Sequence, residues 1–431
     1  MTTRTSTQNL IYDWNVQSGA VAPHIRPRRA AIEFADETLR DGLQSPSVTE
    51  PTIEQKLDIL HLIARLGVRG IDLGLPGAGQ HAVADITRLA QEISTNKLLF
   101  DPYCAVRTHV ADITPLVEIC QKTGLAIEAA AFIGSSPIRQ FAEGWTIEDI
   151  IRRSVEAVDL AVKNNVPVMY VTEDTTRATP DDIRKLYTAA IDHGAARICV
   201  CDTCGHITPH GVGNLLSYIF DIVKSSGAKV LIDWHGHNDR GLGVANSLAA
   251  VSAGVDRVHG TALGIGERVG NASLDQILVN LKLDGVIDND LTALAEYCDK
   301  VSRYTHTPIP PSYPVMGADA FRTATGVHAA AIIKAEKKGD KWLADRVYSG
   351  VSAGDFGKEQ VIDIGFMSGM SNIVYWLAKH GVDGSDDELK RIAERVFELA
   401  KHSDHNLADT EIMSVVRDAR GATPSSANAP H

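Results

Sequence analysis

Eight short apolar runs, each followed by a segment of helical periodicity, divide the chain between residues 30 and 285. The runs lie at 30–42, 67–76, 98–106, 125–134, 166–174, 196–205, 228–237 and 255–266. Such alternation is typical of a parallel sheet covered by helices, and eight units in about 255 residues match the size of a closed barrel. The pattern therefore predicts an α/β fold, a (β/α)8 TIM barrel. The alternative, a doubly wound open sheet, usually has a glycine-rich turn after its first strand, whereas the first run here ends in TLRDG.

The alternation stops after residue 285, and the 431 residues leave room for one large barrel and an appendage. We expect a polar N-terminal arm at 1–29, the barrel at 30–285 and mainly helical C-terminal subdomains at 286–420. Segment 386–403 has a strongly amphipathic pattern that predicts a helix. The last residues, 421–431, have a low-complexity composition that predicts a disordered tail.

Composition excludes several classes of partner. The 42 basic and 54 acidic residues give a net charge of −12, whereas non-specific nucleic-acid binding needs a basic surface, so we expect no nucleic-acid partner. The chain has no apolar run of about 18 residues and no apolar signal segment at its start. We therefore expect no membrane partner and a cytoplasmic location. Six scattered cysteines are typical of reduced thiols in that compartment.

Two histidines end the seventh run, in the sequence HGHND. His235 and His237 share one face of the strand because side chains alternate along it. Taken alone, the pair fits structural hydrogen bonds at a strand end as well as it fits half of a metal site. In a closed barrel, however, strands one, seven and eight are neighbours, and Asp41 and Asn271 follow strands one and eight. The four side chains then predict a site for Mg²⁺, Mn²⁺, Zn²⁺ or Co²⁺, with open positions that suit a 2-oxo acid.

Three other residues at strand ends have polar side chains suited to chemistry. Arg40 precedes Asp41, where a guanidinium stabilises a developing alkoxide or enolate, or else forms a salt bridge at the rim. Glu173 and Thr203 end strands five and six, and they gain a functional role only from the barrel interpretation. The cysteines within 199–204 do not indicate zinc, because two of them lie inside a buried strand and no second pair completes a site.

Three separated motifs in this order resemble the signatures of a family of metal-dependent barrels. They are DETLRDGLQ (36–44), HGHND (235–239) and GIGERVGN (264–271). That family includes 2-isopropylmalate, homocitrate and citramalate synthases, and its superfamily includes hydroxymethylglutaryl-CoA lyase. The resemblance continues into the C-terminal region, in GADAFRTATGVHAAAIIK (317–334) and SGMSN (368–372).

The resemblance implies an acyltransferase that condenses acetyl-CoA with a 2-oxo acid in a metal-dependent Claisen reaction, as 2-isopropylmalate synthases do. The products would be a 2-substituted malate and CoA. A homocitrate-type, citramalate-type or specialised alkylmalate synthase is the alternative within the family. A hydroxyacyl-CoA lyase is disfavoured, because lyases carry a cysteine in the loop after strand eight and GIGERVGNAS has none. The intact set of predicted metal ligands argues against a barrel that serves only as a scaffold.

The resemblance also implies residue roles, with the four metal ligands as already named. Arg40 would stabilise the enolate or the new alkoxide, and Glu173 and His328 would form the acid–base pair around the acetyl-CoA methyl group. Tyr348 would lie near the active site. In a domain-swapped homodimer, His328 and Tyr348 would act on the barrel of the partner. The residues expected to contact the oxo acid are Gln44, Asp72, Arg139 and Thr203.

Two positions depart from the family pattern. Asp72 stands where most relatives have glutamate, and Arg139 stands where they have histidine. Both positions border the oxo-acid side of the pocket, and an arginine there favours a substrate with an extra anionic group. The chain ends at residue 431 without the leucine-binding domain that follows in full-length isopropylmalate synthases. We therefore expect no feedback inhibition by leucine through such a domain.

Overall fold

The computed structural model describes residues 10–11 and 31–421. Eight parallel strands pair in chain order and close into a barrel, because β1 pairs with β2 on one side and with β8 on the other. The strands are β1 (Glu33–Asp36), β2 (Gly70–Asp72), β3 (Asp101–Arg107), β4 (Glu128–Gly134), β5 (Val168–Glu173), β6 (Arg197–Asp202), β7 (Leu231–Gly236) and β8 (Arg257–Gly260). The predicted TIM barrel is confirmed. Apart from residues 10, 11 and 421, the predicted arm (1–29) and tail (421–431) lie outside the described residues.

Helices follow the strands along the chain, and two of them follow β4. They are α1 (Ile53–Arg65), α2 (Gln80–Asn96), α3 (Val110–Thr123), α4 (Pro137–Glu143), α5 (Ile147–Lys163), α6 (Pro180–Asp192), α7 (Pro209–Ser226), α8 (Gly243–Ala253) and α9 (Leu274–Leu283). At the start of α6 and α7 a proline follows a threonine, and the threonine side chain accepts a backbone N–H of the first turn. These caps supply partners for amide groups that a helix start otherwise leaves unpaired.

Buried side chains of mixed size fill the barrel interior. The cluster consists of Ala35, Tyr103, Ala130, Met169, Cys199 and Cys201. Close approach of β1 and β2 depends on a glycine, because a Cβ atom at Gly70 would lie 2.9 Å from both the Ala35 Cβ and the Phe34 carbonyl oxygen. Any larger residue at this position would push the two strands apart.

A layer of paired charges closes the N-terminal end of the barrel. The buried Asp233 carboxylate accepts from Arg197 Nη1 at 2.6 Å and from Arg257 Nε at 2.7 Å. Arg257 also lies 3.4 Å from Glu128. Burial alone would raise the pKa of Asp233, but Arg257 and Arg197 hold it well below its usual range. The charges at this end are therefore matched, as buried charges must be.

The chain divides into two compact units between Pro308 and Ile309. The second unit contains α11 (Gly326–Lys337), α12 (Lys341–Arg346), α13 (Met370–Lys379), α14 (Asp386–His402), α15 (Asp409–Gly421) and a small parallel sheet of β9 (Arg322–Thr323) and β10 (Val361–Ile362). Its core includes Trp376 of α13, Val396 of α14 and Ile412 of α15. The predicted helical character of the C-terminal region is confirmed. Among the described helices, none is both long and apolar enough to cross a bilayer.

One further helix, α10 (Leu294–Thr305), belongs to the barrel unit. The Tyr297 hydroxyl donates to the buried carboxylate of Asp36 and lies 3.0 Å from Thr38 Oγ1, so it fastens α10 to the end of β1. Burial raises the pKa of Asp36 to about 6, although the hydrogen bonds from Tyr297 and Thr38 oppose this change. The boundary predicted after residue 285 therefore falls before the structural division, because α10 packs against the barrel.

We expect Tyr297→Phe to lower the free energy of unfolding at pH 7 by about 1–3 kcal/mol, because a buried carboxylate loses a donor. Urea denaturation followed by circular dichroism measures this loss. Tyr304→Phe is the matched control, since Tyr304 bonds Asp58, whose side chain is 36% exposed. The control should lose less than about 0.5 kcal/mol. Equal losses in the two variants would contradict the role given to Tyr297.

Candidate active site

The C-terminal ends of the barrel strands surround a cavity of about 530 Å³. Polar side chains of the wall gather beside β1, β7 and β8, whereas other parts of the wall are apolar. The apolar side chains include Leu75, Ala105, Phe132, Met169 and Val171. Active sites of TIM barrels lie at this face, built from the strand ends and the segments after them. This cavity is therefore the candidate active site.

Three buried side chains of metal-ligand type meet on one side of the cavity. Asp41 lies in the turn after β1, His235 lies in β7 and His237 directly follows β7. The Oδ2 atom of Asp41 is 3.5 Å from His235 Nε2 and 3.7 Å from His237 Nε2. Their ligand atoms all lie within 4.8 Å of one another. We call these three residues the ligand cluster, and one cation can contact them all.

Asn271 lies beside the ligand cluster. Its backbone forms an isolated antiparallel bridge with His237. Its Nδ2 donates to the Ile265 carbonyl at 3.2 Å, while its buried Oδ1 has no hydrogen-bond partner in the described part of the chain.

Burial and the neighbouring His235 lower the pKa of His237 to about 4, so this imidazole is neutral at pH 7. An unpaired amide oxygen, two imidazoles and a carboxylate fit a divalent metal.

Glu37 lies behind His235, and the sequence analysis did not single it out. Its Oε2 is 2.7 Å from His235 Nδ1 and its Oε1 is 3.0 Å from His259 Nδ1. Oε1 also accepts the Tyr103 hydroxyl at 3.1 Å. A carboxylate on Nδ1 directs the other ring nitrogen of His235 towards the ligand cluster, an arrangement common behind metal-binding histidines. Its signal in the sequence is weak. Glu37 is an acidic residue directly after β1, three residues before Arg40, and nothing in the pattern shows which way its side chain points.

Burial and close contact together set the charges of this group. Burial alone would raise the pKa of Glu37, but His235 and His259 hold it well below its usual range. Burial would lower the pKa of His235, yet Glu37 raises it to about 9. His259 also has a pKa of about 9 against the effect of burial, because Cys199, Glu37 and Asp233 favour its charged form. Glu37 is thus held as an anion by its contacts with His235 and His259.

Three carboxylates hold the guanidinium of Arg40 at the edge of the ligand cluster. Its Nε lies 2.7 Å from Asp72, its Nη2 3.3 Å from Glu37 and its Nη1 3.4 Å from Asp41. Burial would lower the pKa of Arg40, but Asp41 and Asp72 hold it well above its usual value. Asp72 has no exposed surface, and burial raises its pKa to about 6. Asp72 is therefore the buried partner of Arg40, and the contact with the oxo acid that the sequence predicted for it stays a prediction.

Gln44 and Thr203 line the cavity. Gln44 ends the short 3₁₀ turn that follows Asp41, so it belongs to the same segment as the ligand cluster. Thr203 directly follows β6, and its Oγ1 accepts the backbone N–H of Asp174 at 2.8 Å. This bond fixes the hydroxyl oxygen and leaves its proton free to be donated into the cavity.

Glu173 ends β5, four strands from β1 around the barrel. Its side chain is 34% exposed and lines the cavity. Burial raises the pKa of Glu173, while the positive charge of Arg139 acts in the opposite direction. Arg139 itself lies on α4, where its Nη2 is 3.2 Å from Glu143 and 3.8 Å from Glu173. It lines a second, neighbouring cavity and not the wall around the ligand cluster.

His328 and Tyr348 belong to the C-terminal unit. Their rings stack, with centroids 4.2 Å apart and planes inclined by 29°. Both side chains are exposed, and Val327 beside them is also exposed, at 73%. The chain therefore presents this histidine and tyrosine together on the surface of that unit.

A family model and several curated proteins match this chain. The model of the HMGL-like family matches residues 31–301. A probable 2-isopropylmalate synthase of Methanopyrus kandleri is 31% identical, over 92% of this chain and 75% of that protein. The homocitrate synthase AksA of the same organism is 30% identical, over 92% of this chain and 96% of that protein.

Solved structures show the same fold. The HMG-CoA lyase of Bacillus subtilis superposes with a TM-score of 0.55 at 19% identity, over 66% of this chain and 97% of that one. An HMG-CoA lyase complex with coenzyme A and 3-methylmalate gives 0.54 at 18% identity, over 64% and 91%. At such identities the likeness concerns the barrel alone. The family model and the sequence relatives show the family as well as the fold. The chain belongs to the HMGL-like family of enzymes, together with 2-isopropylmalate and homocitrate synthases.

Proposed function

We propose that the protein is an acyltransferase that condenses acetyl-CoA with a 2-oxo acid, in a divalent-metal-dependent Claisen reaction that yields a 2-substituted malate and CoA. The observation that carries the proposal is the ligand cluster with Arg40 at its edge, in one cavity with Glu173. The names of the relatives, 2-isopropylmalate synthase and homocitrate synthase, support the same class of reaction.

The cation would be Mg²⁺, Mn²⁺, Zn²⁺ or Co²⁺. The residues that would hold it are Asp41, His235, His237 and Asn271. When bound, it supplies Lewis acidity towards the ketone of the 2-oxo acid. Gln44 and Thr203 would orient the carboxylate of that acid, because both line the cavity and both can donate a hydrogen bond.

Glu173 would take a proton from the methyl group of acetyl-CoA. Its pKa is raised by burial, which moves the carboxylate towards the range in which a general base is effective at neutral pH. The carbanion would attack the ketone carbon, and Arg40 would stabilise the negative charge that develops on oxygen. Water then cleaves the thioester of the condensed product, which releases CoA. Asp72 would contribute indirectly, since it holds Arg40.

The wall of the cavity favours a hydrocarbon side chain on the oxo acid, as in a 2-isopropylmalate-type reaction. Among the described residues that line it, Arg40 is the only arginine or lysine, and three carboxylates already surround its guanidinium. A second carboxylate on the substrate would therefore find no free arginine or lysine there. Leu75, Phe132 and Met169 offer an apolar surface instead.

The exposed pair of His328 and Tyr348 would complete the acid–base machinery. We propose that it serves the barrel of a second subunit in a homodimer, with His328 exchanging protons with the acetyl group or the product. The support is the exposure of both rings and their mutual stacking, which gives a fixed orientation to two groups that otherwise have no visible task.

We expect release of free CoA, followed with a thiol reagent, when the protein receives acetyl-CoA, Mg²⁺ or Mn²⁺ and a suitable 2-oxo acid. The branched 2-oxoisovalerate should react faster than pyruvate or 2-oxoglutarate, because the wall is apolar. Arg40→Gln should lower kcat by about 10²–10³-fold, since a donor to the developing oxyanion is lost. If no acid releases CoA, the proposal is overturned. Cleavage of a hydroxyacyl-CoA without any condensation would support a lyase instead.

We expect Glu37→Gln to weaken metal binding by about 10–100-fold, because His235 loses the carboxylate that orients it. Titration of the metal-free protein with Co²⁺, followed by its visible absorption, measures this affinity without turnover. Glu156→Gln is the matched control, since Glu156 is 58% exposed on α5 and its carboxylate pairs only with Arg152 among the described ion pairs. Equal affinities of Glu37→Gln and the wild type would contradict the role of Glu37.

We expect the acid limb of the pH profile of kcat to follow Glu173, with activity lost as pH falls and the carboxylate is protonated. Arg139 lowers the pKa of Glu173, so Arg139→Gln should raise that pKa and move the acid limb to higher pH. Arg152→Gln, which removes an arginine paired with Glu156 on α5, should leave the limb in place. A limb that stays fixed or moves to lower pH in Arg139→Gln would rule out Glu173 as the group that titrates.

A further inference from the structure

A second cavity of about 460 Å³ adjoins the candidate active site. It lies at the ends of β3, β4 and β5, whereas the ligand cluster lies beside β1 and β7. The two cavities share Phe132 and Glu173 as wall residues. A ligand that extends through both would therefore pass Glu173 at the junction.

Basic side chains dominate the polar wall of this second cavity, and most of them have partners. Arg107 binds Asp112 through two hydrogen bonds of 2.7 Å. Arg139 lies close to Glu143 and Glu173. These two arginines are thus largely neutralised by the protein itself.

Arg153 is the exception. Its guanidinium makes no hydrogen bond and no ion pair with any described residue, and its Nε atom is buried. Its only contact of note is with the ring of Trp145, whose centroid is 5.0 Å from the Arg153 Cζ. The charge of Asp149, four residues earlier on α5, acts on Arg153 without a direct contact. A partly buried cation without a direct anionic partner is unfavourable, and the ring of Trp145 packs against it at the cavity wall. An anionic ligand would supply the missing partner.

Resting on the proposed function, we propose that the second cavity binds the phosphorylated nucleotide end of coenzyme A, with Arg153 in contact with a phosphate. A guanidinium matches phosphate oxygens in geometry and charge. The pantetheine arm would run past Phe132, so that the acetyl group reaches Glu173 at the junction of the cavities. The 2-oxo acid would then occupy the first cavity alone, and the two substrates would meet at its wall.

The test compares acetyl-CoA with acetyl-pantetheine, which carries the same thioester without nucleotide or phosphates. Arg153→Gln should reduce the preference for acetyl-CoA over acetyl-pantetheine in kcat/KM by about tenfold or more, since a hydrogen bond to a charged group is lost. Arg153→Lys should recover part of this preference, because it restores the charge. The KM of the 2-oxo acid should stay unchanged in both variants. Calorimetry with CoA and the metal-free protein should show a matching loss of affinity in Arg153→Gln.

Arg152→Gln is the matched control, because Arg152 is the neighbouring residue, 55% exposed and paired with Glu156 and Asp149. An unchanged preference and an unchanged CoA affinity in Arg153→Gln would overturn the inference while the condensation stands. A change confined to the KM of the 2-oxo acid would overturn it too, since the anion would then belong to that substrate. Conversely, CoA binding that depends on Arg153 in a protein without condensing activity would support this site and reject the reaction.

Discussion

The buried carboxylate of Glu37 joins three strands at the mouth of the barrel. It binds His235 of β7, His259 of β8 and the hydroxyl of Tyr103 of β3, and it lies 3.3 Å from Arg40. Desolvation of a carboxylate is tolerated only when charged or donor groups surround it. Because one anion contacts all these side chains, the orientation of His235 in the ligand cluster and that of Arg40 are set together and not independently.

Closure of the sheet divides the mouth into two functional sides. Side chains on and after β1, β7 and β8 carry the oxygen and nitrogen atoms of metal-ligand type, while the ends of β4 and β5 provide the shared wall at Phe132 and Glu173. A condensation needs an electrophile and a nucleophile that are held apart until they are correctly oriented. A closed barrel meets this need because the ends of its eight strands surround one cavity. The hydrogen bonds between the strands fix the distance between the two sides of that cavity.

The fold and the convergence of 235–237 with Asp41 follow from the sequence, because the strand period is simple and the order of strands in a closed barrel is fixed. The contacts between side chains cannot be predicted from the sequence in the same way, because the strand period does not fix which side chains meet. Glu37 stands at a strand end like its neighbours, and only the coordinates reveal that it faces two histidines. Asp72 ends β2 as predicted, yet Arg40 covers it. Arg139 lies on the additional helix α4 after β4 and lines the second cavity.

The pairing of β1 with β8 has a consequence for the nascent chain. Asp41 leaves the ribosome about 230 residues before Asn271, which is on the order of 10–50 s at ordinary rates of synthesis. Until β8 emerges, β1 has a free edge and Glu37 lacks His259, whereas His235 emerges earlier with β7. The amino-terminal half of the barrel is therefore an open sheet until β8 is synthesised, and it relies on that later strand to cover an exposed hydrogen-bonding edge.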